Sequence, residues 1–364
     1  MITSPSTTSE RTAAAAAMLE HGQPVLPDTL RDAVRMAHLF RRSLARGAVH
    51  PLLPVLKCHH GVSQGLTTPP PAVSRSSVAP PSACIGVEQL RRGVTSLPSL
   101  PQAVQEALAM LNDEGASVGA VADRIEHDQV LAARTLRAAN TAFYGAPGRV
   151  ATIRAAIGVL GLRTVSALLT TASVSAQFPG SPRCPEFRFA GFWRHTLTTA
   201  LTARGLAKAM GMDAEVAFTA GLLHDIGALV LATQYPLEFG VALRYAREHD
   251  LPLLDAERAA LDVDHCVAGE VLAQHWRLPP AVARAIGQHH APSPDPDGRP
   301  SLAELVHVAD ALAHGIQPAQ GVDDAVPPVT VEIWSRLGIG TLACLPVLQS
   351  TSAAVDALCE ALSL

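Results

Sequence analysis

The chain reads as an all-α protein, and three observations predict that class. Apolar residues recur at three- and four-residue spacing through most of its length, turn residues interrupt the pattern at short intervals, and no run alternates apolar and polar residues long enough to argue a sheet. The 364 residues are 48% hydrophobic and 16% charged, which supplies apolar material for one large or two medium cores.

The first helix starts at Pro27 and Asp28, carries Leu30, Val34, Ala37 and Leu44 at helical spacing, and stops at Gly47. Its opposite face bears Arg31, Arg35, Arg42 and Arg46. These read as a solvated basic face or as a docking surface for an acidic partner, a membrane or nucleic acid. Residues 1–60 are thus expected to be an extension with one basic amphipathic helix. Residues 61–87, rich in Pro, Ser, Thr and Gly, read as a linker with little to bury.

From 88 to 176 the stripes are helical. Pro98 and Pro101 bracket a start ahead of Val104, Leu108 and Leu111. Val118, Val121, Ala122 and Ile125 form the next stripe, and Leu131, Thr135, Leu136, Ala138 and Ala139 a third, ended by Tyr144–Gly148. Ile153, Ala156, Ile157 and Leu160 run to Gly161, after which Val165, Leu168 and Leu169 open another helix.

A second block spans 186–317. Phe192, Thr196, Ala200 and Ala203 pattern one helix, Ala217–Gly227 a short buried one, and Leu237–His249 an amphipathic one. Asp264–Trp276 exposes Glu270 and buries Val267, Val271 and Leu272; Pro279 and Pro280 open the next helix, where proline is tolerated. The last helix carries Leu302, Leu305, Val306, Ala309 and Leu312, with Gly315 beyond it. Residues 318–364 read as an appendage with helical stretches at 331–337 and 353–362.

Net charge is −4 and aromatics are 4%, so neither a general basic field for phosphate backbones nor a base-stacking platform is expected. The six cysteines show no CxxC and no close pairing, which argues for thiols in a reducing compartment. The N-terminus lacks a basic start and a long apolar core, and the longest apolar stretch, 216–232, carries His224 and Asp225 at its centre. A cytoplasmic protein without a spanning segment is the expectation.

The chemistry-bearing residues form an ordered series: His195, His224–Asp225, His265, His289–His290 and Asp310. Imidazoles mixed with carboxylates suit a divalent Zn, Fe, Mn or Ni ion better than Ca or Mg. Each residue has a plainer reading. His224 and Asp225 lie about 100° apart on a helix and share one ion only near a helix end, which Gly227 could supply. As a mere pair they read first as a structural hydrogen bond. His195 and His265 fit a polar core boundary, and His289–His290 a helix C-terminus. Asp310, on the edge of an apolar stripe, needs a cation or donors to stay charged.

In order, FWRHTLTTA, AFTAGLLHDIGALVL, DHCVAGEVLAQHWRLPPAVARAIGQHH and LAELVHVADALA resemble the HD phosphohydrolase superfamily. LPSLPQAV, DRIEHDQVLAARTLRAANTAFYG and IRAAIGVLGLRTVSALL resemble the N-terminal half of the HDOD domain, the HD-related output domain of bacterial signalling proteins. The resemblance covers about 88–317. It implies an N-terminal helical subdomain, 88–176, packed on an HD-like bundle, 186–317. It also implies that His195, His224, Asp225 and Asp310 match the ligands of a first metal, and His265, His289 and His290 those of a second. The HD-GYP phosphodiesterases place a lysine three residues after the HD aspartate and a glutamate four before the first histidine; this chain has Ala228 and Gly191, and no GYP after His290. Those departures remove charge from where a phosphodiester transition state needs it. The expected function is a regulatory module acting by contact with other signalling proteins, with a nucleotide as a further ligand class. The alternative is a metal-dependent phosphohydrolase or phosphodiesterase, and a DNA or membrane adaptor is the weakest reading.

Overall fold

The computed structural model describes residues 28–44, 46, 49–62, 83–97, 118–126, 129–141, 150–162, 164–165, 174–175, 178, 183–316 and 325–363, and among them there are helices and no strand. The expected start at 98–101 with its Val104, Leu108 and Leu111 stripe lies outside the described residues. So do Tyr144–Gly148, Leu168 and Leu169, and most of the Pro/Ser-rich linker.

The chain enters with α1 (Asp28–Leu39), α2 (Arg41–Leu44) and α3 (Leu53–His59), the last opened by Pro54. This segment is not a separate extension. Met36, Leu39, Phe40, Leu52, Val55 and Leu56 are buried in one cluster with Leu305, Val308 and Leu312. The stripe read from the sequence held Val34 and Ala37, which are buried, but it omitted Met36, Leu39 and Phe40, the residues that anchor it. The end of the expected linker is also docked: Ala83 N–H donates to Ala260 O at 2.8 Å and Ile85 N–H to Leu261 O at 2.8 Å, with Ile85 fully buried. They lead into α4 (Val87–Thr95), where Tyr235 Oη donates to Gln89 O at 2.7 Å.

The next layer is α5 (Val118–Glu126), α6 (Gln129–Ala139) and α7 (Ile153–Leu160). Asn140 closes it: its amide donates to Leu136 O and Val150 O, and its Oδ1 accepts from Val150 N–H. Thr152 caps α7 by accepting from Ala155 N–H at 3.1 Å, and Gly161, at φ +80°, ends it in a conformation that a side chain would strain.

The spine is α8 (Phe189–Met210). It gives Phe192 and Trp193 to one apolar cluster, Ala203, Leu206 and Ala207 to the one holding α1 and α3, and Leu197, Ala200 and Leu201 to the one holding α5–α7. This is how the N-terminal helical layer sits on the bundle. Asp213 caps α9 (Ala214–Leu223), accepting from Glu215 and Val216 N–H. The expected Ala217–Gly227 helix is two helices: α9 stops at Leu223, His224 and Asp225 form the break, and α10 (Ile226–Gln234) follows. Next come α11 (Pro236–Glu248), α12 (Leu253–Leu261), α13 (His265–His275) and α14 (Pro280–Gln288). α15 (Leu302–Ile316) opens on a reciprocal cap, Ser301 N–H to Glu304 Oε2 and Glu304 N–H to Ser301 Oγ, and runs through Gly315 instead of stopping before it.

The tail is α16 (Val331–Leu337) and α17 (Thr341–Leu362). α17 begins a dozen residues before the expected 353 and carries Pro346 inside it, at the sixth position, where proline leaves one bond of the helical ladder unmade. It is no appendage: Cys344 and Leu348 pack with α3 and α8, and Val355 and Leu358 join the cluster of α5–α7. By length and composition alone, Ala214–Gln234 and Thr341–Leu362 are apolar enough to cross a membrane; 83% of the first such window is buried inside the fold and 39% of the second. Of the six free cysteines, Cys184, Cys266 and Cys344 are buried, whereas Cys58 and Cys84 are exposed.

Candidate metal centre

A helix break places the central pair. At Leu223 the α9 ladder ends, His224 remains helical and Asp225 turns to φ −97°, ψ 13°, so the two side chains, which a continuous helix would splay, reach one cluster of donor atoms. His224 Nε2 lies 3.2 Å from Asp225 Oδ2. Gly227, two residues on, serves a different purpose from the helix end expected of it. A Cβ there would fall on the His265 carbonyl and lie 2.5 Å from Gly269 N, so its lack of a side chain lets α10 and α13 touch through backbone. That contact brings His265 Nε2 to 3.5 Å from Asp225 Oδ1.

α8 supplies His195, whose Nε2 is 2.9 Å from Asp310 Oδ1 and 3.9 Å from Asp225 Oδ2. Asp310 comes from α15 and also lies 3.7 Å from His224 Nε2. From the end of α14, His289 Nε2 reaches to 3.2 Å from Asp225 Oδ1, and His290 Nε2 to 3.0 Å from His265 Nε2. All seven residues of the ordered series therefore converge. Two groups share His224: His195, His224 and Asp310 on one side, His224, Asp225 and His289 on the other, each with donor atoms within 4.8 Å of one another.

The convergent atoms are those a cation would use. Nε2 of His195, His224 and His289 and Oδ1 of Asp310 are buried and make no well-formed hydrogen bond, a costly arrangement unless something else satisfies them. Three rings are oriented from behind. Nδ1–H of His224 donates to Gly221 O at 2.7 Å, that of His289 to Ile286 O at 2.8 Å, and that of His265 to Glu257 Oε2 at 2.6 Å. A ring that is neutral with its proton on Nδ1 carries the lone pair on Nε2, toward the convergent carboxylates, the arrangement expected behind metal-ligating histidine. Against burial, Glu257 and Cys266 raise the pKa of His265 well above its ordinary value and Cys266 and Asp225 that of His289, so a cation binding there would displace protons.

Electrostatics keep the carboxylates ionised. Burial opposes the charged form of Asp225, but His224, His289 and His265 outweigh it and hold the carboxyl well below its ordinary value. Asp310 is held down likewise, by His314 and His195 against burial. Burial, with His314 adding to it, lowers the pKa of His195, and burial with His289 and His265 that of His290, so both rings stay neutral, as ligands must be.

Four further residues belong to the site. His307 donates from Nδ1 to His289 O at 2.7 Å, and His314 Nε2 lies 3.4 Å from Asp310 Oδ1. Both sit on the Asp310 face of α15, three residues before it and four after, so the helical period could have found them. Cys266, against burial, is lowered to about 6 by His289 and His265. Glu257 lies on α12, a helix that the sequence pattern did not disclose.

The cavity, about 430 Å³, is lined by His195, Asp225, His265, His290, Asp310 and His314, and also by Gly191 and Ala228. Arg42, Ser43 and Arg46 and residues 325–328 also line it. Of the basic residues expected to dock a partner, Arg35 donates to Ile316 O at 3.4 Å, and Arg42 donates to Asp250 Oδ1 at 3.1 Å and Leu251 O at 2.9 Å. Arg46 is exposed, and the side chain of Arg31 lies outside the described residues.

The HDOD domain matches residues 97–292, more than half of the chain. The chain belongs to the HDOD domain family. A solved HDOD domain protein of unknown function from Geobacter sulfurreducens shares the fold at TM-score 0.65 and 25% identity, covering 76% of this chain and 96% of that one. A Shewanella amazonensis SB2B structure described as a candidate phosphohydrolase aligns at TM-score 0.57 and 27% identity, covering 74% of this chain and 97% of that one. Among curated proteins, an uncharacterized Treponema pallidum protein is 27% identical over 199 residues, 54% of this HDOD protein and 38% of the relative. The HDOD protein thus spans well under half of that relative's length. Asp310 and residues 325–328 lie beyond the matched range.

Proposed function

We propose that this protein is a signalling output module whose HD-derived cavity holds a divalent metal and which acts by contact with another signalling protein instead of by phosphoester turnover. The observation that carries this is the position of Ala228 and Gly191 on the cavity wall. They stand where catalytic relatives, by the resemblance above, place a lysine and a glutamate. The donor set is complete, while the wall beside Asp225 offers a methyl group and a bare backbone where negative charge would develop.

A bound Fe, Mn, Zn or Ni ion would supply Lewis-acid charge at the convergent nitrogens and oxygens. His195, His224, Asp225 and Asp310 would hold one ion and His265, His289 and His290 would serve a second. The backbone carbonyls of Gly221 and Ile286 and the Glu257 carboxylate keep three of these rings aimed. The second reading, a metal-dependent phosphohydrolase, draws on the same donor set and on the Shewanella relative's description.

Elemental analysis of untagged protein, together with a panel of phosphoesters, nucleotides and cyclic dinucleotides, separates the two readings. The expected result is bound metal with turnover undetectable or very slow in wild type, and a gain in Ala228→Lys if the missing charge is the obstacle. Robust wild-type hydrolysis abolished by Asp225→Ala would overturn the non-catalytic reading. Absence of metal from wild type prepared in metal-supplemented medium would overturn the metal-holding one.

A further inference from the structure

We infer that Glu257 is a positioning residue that fixes His265 in the single tautomer able to present its Nε2 lone pair to the cavity. This deepens the metal-holding reading and rests on it for its metal-dependent part.

The arrangement begins with local structure. α12 ends at Leu261, and Asp262, at φ +61°, reverses the chain in the left-handed region. Asp264 then caps α13, its Oδ1 accepting from Val267 N–H at 2.9 Å. His265 is the first residue of α13, so its backbone N–H has no partner within its own helix. Glu257, one turn back along α12, meets that need: its Oε2 accepts from His265 N–H at 2.9 Å and from His265 Nδ1–H at 2.6 Å. One carboxylate oxygen thereby holds both the backbone and the ring of the same histidine, which fixes the ring in position as well as its proton.

Burial makes the arrangement costly and therefore informative. Glu257 is fully buried, and its other oxygen, Oε1, has no hydrogen-bond partner. An acid placed in a core for packing alone would be outcompeted by an apolar side chain of similar size. What the carboxylate supplies here is direction. With Nδ1–H committed to Oε2, neutral His265 has its lone pair on Nε2, 3.5 Å from Asp225 Oδ1 and 3.0 Å from His290 Nε2. Two imidazole nitrogens that close either share one proton or share a cation. In both cases His265 must be the acceptor, and Glu257 decides that. A carboxylate behind a ligating imidazole also raises its basicity, and loss of such a partner typically weakens metal affinity about 10- to 100-fold.

The test uses the full chain in wild-type, Glu257→Gln and Glu257→Leu forms. Gln keeps the shape and an acceptor without the charge, which guards against a fold lost in the Leu form. Two readouts are taken. Proton–nitrogen spectra of histidine-labelled, metal-free protein report the tautomer of each ring, and titration with Zn²⁺ and Mn²⁺ reports stepwise affinity. The inference expects His265 with its proton on Nδ1, strongly deshielded, in wild type; Glu257→Gln keeps the proton on Nδ1 but loses the deshielding that the carboxylate supplies, and Glu257→Leu loses the preference for Nδ1 altogether. It also expects a 10- to 100-fold weaker second equivalent, with the first within about threefold of wild type. An Nε2–H tautomer in wild type, an unchanged His265 signature in Glu257→Gln and Glu257→Leu, or equal weakening of both equivalents in folded Glu257→Gln overturns it. If wild type takes up no metal, the metal-holding reading fails by itself, and the tautomer spectra still decide the role of Glu257.

Discussion

Replacing Gly227 by alanine tests how the two halves of the candidate metal centre are joined. Judged by helix propensity, the change should help, since alanine is favoured over glycine by about 1 kcal/mol inside a helix. The tertiary contact reverses that sign. A Cβ at 227 would lie 2.5 Å from Gly269 N and closer still to the His265 carbonyl oxygen, and both are backbone atoms that cannot swing aside. Ordinary contact needs roughly 3.5 Å, so α10 and α13 must part by on the order of an ångström. Overpacking of this kind costs typically about 1–3 kcal/mol, which outweighs the propensity gain and lowers the melting temperature by several degrees. The same displacement carries His265 away from Asp225, now 3.5 Å distant, so metal uptake should weaken along with stability. Thermal denaturation and metal titration of Gly227→Ala read the two effects separately. A melting temperature at or above wild type with unchanged metal affinity would refute the argument that this glycine exists for backbone contact.

Deleting residues 1–62 should leave a chain that is aggregated or far less stable than wild type, because six large apolar side chains of α1–α3 and their connections leave the core, each contributing about 1.5–3 kcal/mol; a truncated protein melting within a few degrees of wild type would contradict this. His50 makes the anchoring of that segment pH-sensitive. Its Nδ1 accepts from Leu52 N–H and its Nε2–H donates to Pro327 O, and burial lowers its pKa from 6.5 to about 4. Folding favours the neutral ring, so this contribution is whole above pH 6.5, declines as pH falls toward 4, and amounts to roughly 3 kcal/mol at most. Denaturant unfolding at pH 7.5 and pH 4.5 should show a smaller acid loss in His50→Gln than in wild type, and equal losses would remove His50 as the cause.

Much of the fold was legible in the sequence because helical periodicity is local. The stripe at Ile153–Leu160 and the boundaries at Asp264 and Pro280 needed only spacing, caps and proline. The order of histidines and aspartates was legible too, since their residue types announce a shared chemistry whatever their distance apart. What periodicity could not show was where a helix breaks for tertiary reasons. Val216–Ala232 is apolar around its circumference, so nothing local fixes the turn at His224–Asp225 that brings both side chains to one donor cluster. Nor could composition tell that the Arg35 and Arg42 side chains turn inward to a carbonyl and to Asp250, because a long cationic side chain on a helix fits a solvated face equally well. Glu257 lay on a helix too short and too mixed to read, and its partner is known only once α12 and α13 meet around Asp262. The sequence by itself determined that this is a helical protein carrying an HD-type donor set. Tertiary packing decided which of those donors meet, which nitrogen of His224, His265 and His289 is held by a partner behind the ring, and that flanking segments line the cavity, since these depend on contacts between residues far apart along the chain.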